Sequence, residues 1–175
     1  MVHKKLNIAI IGATGYVGLD LVFILSKHPK VQIKYLCAQK NIGKSISFFD
    51  KRIKKKLPKI SLFQNSYCKS IDLIFLSLPN GEAQKIIKKN IHNSSIKFID
   101  LSADFRIKDP KKYKKWYGIN HFAKDLISKS IYSISEFVKK DIKKFRIIAN
   151  PGCYPTSIQL PLVPLLKKNY INTKT

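Results

Sequence analysis

"LNIAIIGATGYVGLDLVFIL", residues 6–25, places an apolar run, three regularly spaced glycines and a second apolar run in immediate succession. Residues 6–12 are short, apolar and rich in β-branched side chains, which suits a strand buried on both faces. Beyond the glycines the periodicity changes. Val17, Leu21, Ile24 and Leu25 recur at helical spacing, and the pattern stops at Pro29. A buried strand that turns through glycine into a helix is the opening unit of a parallel βαβ fold.

The rest of the chain repeats that alternation. "VQIKYLC" (31–37) reads as a second strand and "KISLFQ" (59–64) as a third. "DLIFLSLP" (72–79) and "IKFIDLS" (96–102) are strand-like, with the helical stretch "GEAQKIIKKNI" (81–91) between them. "RIIAN" (146–150) is expected as the last strand, followed by an apolar stretch, "TSIQLPLVPLLKK" (156–168), helical at first and bent by Pro161 and Pro164. The segment 103–145 is lysine-rich and weakly periodic, and is read as an edge cover or an excursion. The expected fold class is α/β: a doubly wound, mostly parallel, Rossmann-like sheet over residues 1–150. Residues 151–175 are expected to begin a second, α+β domain whose remainder is absent.

Gly12, Gly15 and Gly18 lie between the first strand and the first helix. Glycine there lets the backbone turn tightly and approach a pyrophosphate, while the helix N-terminus offers free N–H groups and a positive dipole end. The alternative, glycines that merely allow close helix–strand packing, carries less weight at this position. NAD-binding sheets usually end the second strand with an acid that holds the ribose diol. Here "YLCAQKNIGK" has no acid between Tyr35 and Lys44, and Gln39, Lys40 and Lys44 are available to meet a 2′-phosphate, so NADP is the expected cofactor, the missing acid weighing more than the lysines.

Composition bounds the partners. The net charge is +24, carried by 34 basic residues of which only Arg52, Arg106 and Arg146 are arginine. Nucleic-acid or anionic-membrane binding is one reading of such charge. Compositional drift is the other, favoured because the lysines are scattered in pairs and triplets and arginine, the usual reader of phosphate and base edges, is scarce. Three cysteines without a C-x-x-C pair suggest neither a disulfide framework nor a metal site, and fit a reducing cytoplasm. Glycines and Asp20 interrupt the N-terminal apolar run, so neither a signal peptide nor a membrane span is expected.

"IANPGCYPTS" (148–157) sets Cys153 just past the last strand, after Pro151-Gly152 and before Pro155, a residue suited to a first helical turn. A thiol there would stand at a helix N-terminus on the carboxyl edge of the sheet. That position lowers a thiol pKa, and the thiolate is the nucleophile. Cys37 and Cys68 lack the setting and read as structural. A nucleotide-binding sheet with a nucleophilic cysteine is what interconversion of acyl groups and aldehydes requires.

"GATGYVG" (12–18), "DLSADFR" (100–106) and "ANPGCYPT" (149–156) together resemble N-acetyl-gamma-glutamyl-phosphate reductase, with aspartate-semialdehyde dehydrogenase a more distant likeness. The resemblance implies NADPH-dependent reductive dephosphorylation of N-acetylglutamyl 5-phosphate to the 5-semialdehyde, in arginine biosynthesis. Cys153 then matches the nucleophile, and Arg106 matches an arginine near the substrate phosphate, against the alternative of an ion pair with Asp104 or Asp109. The cofactor residues implied are Gly12, Thr14, Gly15, Tyr16, Val17, Gly18, Gln39, Lys40 and Pro79; the substrate residues are Ser102, Arg106 and Asn150. No metal is expected. A small-molecule acyl phosphate is the partner, with homo-oligomerisation at full length.

The departures are specific. Ala38-Gln39 stands where the family usually has Ser-Arg, Asn80 replaces a histidine in "LPNG" (78–81), and "YSISEF" (132–137) lacks a glycine and a proline. The resemblance covers only the first half of family members, and the expected general acid/base histidine belongs to the other half. His3, His28, His92 and His121 all precede the cysteine motif, and His121 reads as a loop histidine. The competing readings are a non-catalytic nucleotide-binding remnant and a basic nucleic-acid-binding protein.

Overall fold

A computed structural model describes residues 4–92 and 96–172; His3 lies outside them. Seven strands form one sheet: β1 (Leu6–Ile11), β2 (Val31–Cys37), β3 (Ile60–Ser61), β4 (Leu73–Leu76), β5 (Lys97–Asp100), β6 (Ser130–Tyr132) and β7 (Ile147–Ala149). Their order is β3-β2-β1-β4-β5-β7-β6, and every neighbouring pair is parallel. The helices are α1 (Tyr16–Ser26), α2 (Glu82–Asn90), α3 (Pro110–Tyr117) and α4 (Cys153–Lys167).

The apolar strands alternate between two buried faces. Ile8 and Ile10 of β1 join Val22 of α1, Ile33 and Leu36 on one side. Ala9 and Ile11 join Ile74, Leu76, Phe98 and Ala83 and Ile87 of α2 on the other. Complete burial of side chains such as Ile8, Ile10 and Leu76 is worth about 1.5–3 kcal/mol each. Helices on both faces are why the strands read as continuous apolar runs. From β1 the chain leaves through α1 toward β2, and from β4 through α2 toward β5. The crevice of this doubly wound sheet therefore opens between the carboxyl ends of β1 and β4.

Four local expectations change. The α1 residues buried on the sheet are Gly18, Val22 and Ser26, whereas Val17 and Ile24 are exposed. This helix is apolar around most of its circumference, so spacing alone did not select the buried stripe. The segment 103–145 contributes α3 and β6, a three-residue strand too short to show alternation, which makes the sheet wholly parallel. "KISLFQ" keeps strand pairing over two residues only. Finally, α4 begins at Cys153 and runs through both Pro161 and Pro164, although each proline removes an N–H from the helical ladder.

Candidate functional site

The turn after β1 shows what each glycine does. Gly12 has φ +85°, and a Cβ there would stand 1.9 Å from the Ser77 carbonyl oxygen, so only glycine lets β1 and β4 close at their carboxyl ends. A Cβ on Gly18 would stand 2.1 Å from the Gly12 oxygen, which makes Gly18 the helix–strand packing glycine. Gly15 differs. Its φ is −76°, and a Cβ would meet nothing closer than 3.5 Å. No side chain caps α1, and among the described residues the N–H groups of Tyr16 and Val17 have no hydrogen-bond acceptor.

A cleft of about 210 Å³ opens beside this turn, lined by Gly12, Thr14, Gly15, Gln39 and Pro79 among the expected residues. Ile11, Cys37, Ala38, Phe63, Ser77 and Leu78 complete it. Tyr16, Val17, Gly18 and Lys40 do not line it; Tyr16 and Val17 face solvent in the first turn of α1. Phe63 carried no sequence motif. It follows β3 and meets the edge of Tyr67, which stacks on Tyr35 with ring centroids 3.8 Å apart. Its place after a strand at the carboxyl edge was the available signal. The fit to a dinucleotide rests on Gly15, which lines the cleft with open side-chain space at the uncapped N-terminus of α1.

The "DLSADFR" loop leaves β5 and folds around two buried carboxylates. Asp100 accepts from Ser102 N–H at 2.9 Å, Ser102 Oγ–H at 2.6 Å and Phe105 N–H at 3.3 Å. Burial pushes its carboxyl up to about 6, against those hydrogen bonds. Ser102 is itself buried, with its hydroxyl turned to Asp100. Asp104 accepts from Gly81 N–H, Gln84 N–H and the Tyr113 hydroxyl.

Among the described residues Arg106 therefore pairs with no carboxylate. Asp104 is committed elsewhere, and Asp109 caps α3 through Lys111 N–H and Lys112 N–H. The Arg106 side chain reaches the cysteine loop instead, donating from Nε to Asn150 O at 3.0 Å and from Nη2 to Leu101 O at 3.1 Å. Asn150 is anchored by its own N–H to Asp100 O at 2.8 Å. Nη1 lies beside Gly152: a Cβ on that glycine would be 3.0 Å away. Arg106, Asn150, Gly152 and Cys153 thus converge, with Cys153 exposed in the first turn of α4.

The remaining candidates stand apart. Cys37 is buried with its thiol pushed up to about 11 by desolvation, and Cys68 is buried against Asn90. His121 is also buried and its pKa is lowered by desolvation; Nε2–H donates to Asp104 O and Nδ1 accepts Ala123 N–H, which fixes the neutral tautomer. Among the described residues no cluster of three or more His, Cys, Asp or Glu is placed to hold a metal ion, and no helix is long and apolar enough to cross a membrane.

Sheet order, crevice and glycine turn define a Rossmann-like nucleotide-binding domain. A family model for the semialdehyde dehydrogenase NAD binding domain matches residues 7–145, and the chain belongs to that family. N-acetyl-gamma-glutamyl-phosphate reductase of Ehrlichia canis is 46% identical over 171 residues, which are 97% of this chain and 49% of that protein. A probable chloroplastic N-acetyl-gamma-glutamyl-phosphate reductase of Arabidopsis thaliana is 42% identical, over 97% of this chain and 42% of its own length. The chain spans about half the length of the curated relatives it matches. Among solved structures, aspartate semialdehyde dehydrogenase of Francisella tularensis shares the fold with TM-score 0.65 at 15% identity, covering 94% of this chain and 42% of that one. The Candida albicans enzyme with NADP gives TM-score 0.61 at 19% identity, covering 94% and 48%.

Proposed function

We propose that this chain is the cofactor-binding and thiol-bearing half of an NADPH-dependent N-acetyl-gamma-glutamyl-phosphate reductase. The observation that carries the reading is the convergence of Arg106 and the exposed Cys153 on one loop at the carboxyl edge of the sheet. The names of the most similar relatives supply the substrate class.

The Cys153 thiolate attacks the acyl carbon of the acyl phosphate, forming a thioester as the carbon–phosphate-oxygen bond breaks and phosphate leaves. Arg106 is suited to hold the phosphate through Nη1, because Nε and Nη2 are already used to fix the guanidinium. The first turn of α4 adds a positive dipole end beside the thiol. Hydride, delivered to the thioester carbon, is the chemistry that a bound NADPH supplies in the cleft lined by Gly12, Thr14, Gly15, Gln39 and Pro79. Collapse of the resulting hemithioacetal frees the thiolate and the aldehyde.

The domain division falls at residues 150 and 151 in this reading, with α4 opening the second domain; no residue of α4 is buried. Leu160, Leu162, Leu165 and Leu166 are partly exposed on it, which suits cover by that domain and assembly of the whole enzyme as a homo-oligomer in the cytoplasm. The test is acylation. Incubated with N-acetylglutamyl 5-phosphate, the chain should gain one acyl group by intact mass, and Cys153→Ser should gain none. Equal acylation of the serine variant overturns the nucleophile; NADPH is left out, because thioester formation precedes hydride transfer and does not need it.

A further inference from the structure

The N-terminus of α2 is capped from far away in the sequence. Gly81, its N-cap residue, has φ +92° and no side chain to supply. The carboxylate of Asp104 takes that place, accepting Gly81 N–H at 2.7 Å on Oδ1 and Gln84 N–H at 3.0 Å on Oδ2. These are the two N–H groups that a capping box would satisfy locally. Asp104 is fully buried, and Oδ1 also accepts the Tyr113 hydroxyl at 2.6 Å. Gln84 then ties Tyr113 to Phe122, its Nε2 donating to the Tyr113 hydroxyl and its Oε1 accepting Phe122 N–H. A buried carboxyl group with both oxygens engaged in this way holds its geometry because every displacement leaves a polar group unpaired.

Two parts of the site hang from this carboxylate. Pro79, on the wall of the cofactor cleft, lies two residues before Gly81. Arg106 lies two residues after Asp104, and its side chain reaches Asn150 O, three residues before Cys153. We infer that Asp104 is a positioning residue that, by holding Gly81, fixes the turn that follows the Pro79 wall of the cofactor cleft and, through its own loop, the Arg106 guanidinium in one geometry. The inference rests on the cofactor and thiol reading proposed above. It goes further by assigning to one buried side chain, outside both sites, the relative placement of the two.

The test uses two readouts from separate places. NADPH titration reports the cleft. The ratio of alkylation rates at Cys153 by anionic iodoacetate and neutral iodoacetamide reports the guanidinium held on the cysteine loop. Asp104→Asn keeps the shape but turns an amide N–H₂ against a backbone N–H. It should raise the NADPH dissociation constant about tenfold and lower the alkylation ratio about threefold, the scale expected for one charge-assisted hydrogen bond. Tyr113→Phe, which leaves the carboxylate and removes one donor, should move both in the same direction by about two- to threefold, and serves if Asp104→Asn does not fold. Asn90→Ala at the far end of α2, away from both sites, should lower thermal stability and move neither readout. If Asp104→Asn, or Tyr113→Phe in its stead, lowers stability but leaves either readout unchanged, the inference is overturned and Asp104 is structural only. If wild-type chain fails to bind NADPH, the cofactor reading falls and takes this inference with it.

Discussion

The guanidinium of Arg106 lies against the Cα of Gly152: a Cβ at that position would sit 3.0 Å from Nη1 and 3.7 Å from Cζ. The Gly152 backbone, with φ −71° and ψ 173°, suits any residue, so space for the arginine is what glycine provides. Gly152→Ala should therefore displace Arg106 and leave the fold intact. The iodoacetate-to-iodoacetamide ratio at Cys153 should fall about threefold, a loss on the order of 0.7 kcal/mol, within the range of one hydrogen bond. Arg106→Ala should do at least as much, and the double variant no more than Arg106→Ala alone. Additive effects would mean that Gly152 acts on something else.

The glycine turn separates fold from ligand binding. Gly12→Ala combines a positive φ with a Cβ 1.9 Å from Ser77 O, and should cost about 3 kcal/mol or more of stability. Gly15→Val meets neither obstacle. Its melting temperature should stay within a few degrees of wild type, while NADPH affinity drops by about tenfold or more, because the side chain occupies space a pyrophosphate needs. Normal NADPH binding by a folded Gly15→Val chain would reduce the turn to a packing device.

Thiol titration gives a direct check of site accessibility. Cys153 is exposed, whereas Cys37 and Cys68 are buried with raised pKa values. A disulfide reagent at pH 8 should label one thiol rapidly in the native chain and all three after denaturation. With its pKa about 11, Cys37 should react at least about a hundredfold more slowly than an ordinary exposed thiol. In Cys153→Ser the fast phase should vanish. A persisting fast phase would place another thiol at the surface.

Asp100 predicts a pH dependence with a definite sign. Burial first, and the Asp104 charge to a lesser degree, lift its carboxyl to about 6, while Ser102 and Phe105 oppose the rise. The folded chain thus keeps this proton to higher pH than the unfolded chain, whose carboxylate titrates at about 4. The stability it contributes is fully present below that value and is lost as pH rises through about 6. Relative to Asp100→Asn, wild type should lose on the order of 2–3 kcal/mol between about pH 4 and pH 7. Buried His121 titrates with the opposite sign, but it is common to both proteins and cancels in the difference. A difference in urea midpoint that is flat with pH, or that grows in favour of wild type as pH rises, would refute the assignment.

Much of this architecture was legible along the chain. The strands β1, β2, β4, β5 and β7 and the helix α2 were readable because each is a contiguous run whose burial follows its own periodicity. α1 was legible as a helix but not in orientation, since Val17 and Ile24 are as apolar as the residues that face the sheet. β6 was not legible, because three residues carry no alternation and only pairing with β7 makes them a strand. In the site, Cys153 stood out by its Pro-Gly setting and Gly12 by its turn. Phe63, Gly152 and Asp104 did not announce their places.

By itself the sequence determined what depends on neighbours in the chain: the strand–glycine–helix unit, the doubly wound class and the thiol in the first turn of a helix. Glycine spacing, apolar periodicity and proline placement act through local backbone sterics, which a linear reading captures. Tertiary structure alone decided that Gly18 packs while Gly15 opens the cleft, that Asp104 caps a helix 23 residues earlier, and that Arg106 reaches across 44 residues to Asn150 rather than pairing with a neighbouring acid. Those outcomes depend on which distant backbone groups arrive unpaired at the carboxyl edge of the sheet. A buried polar group must be satisfied by whatever the fold brings within about 3 Å.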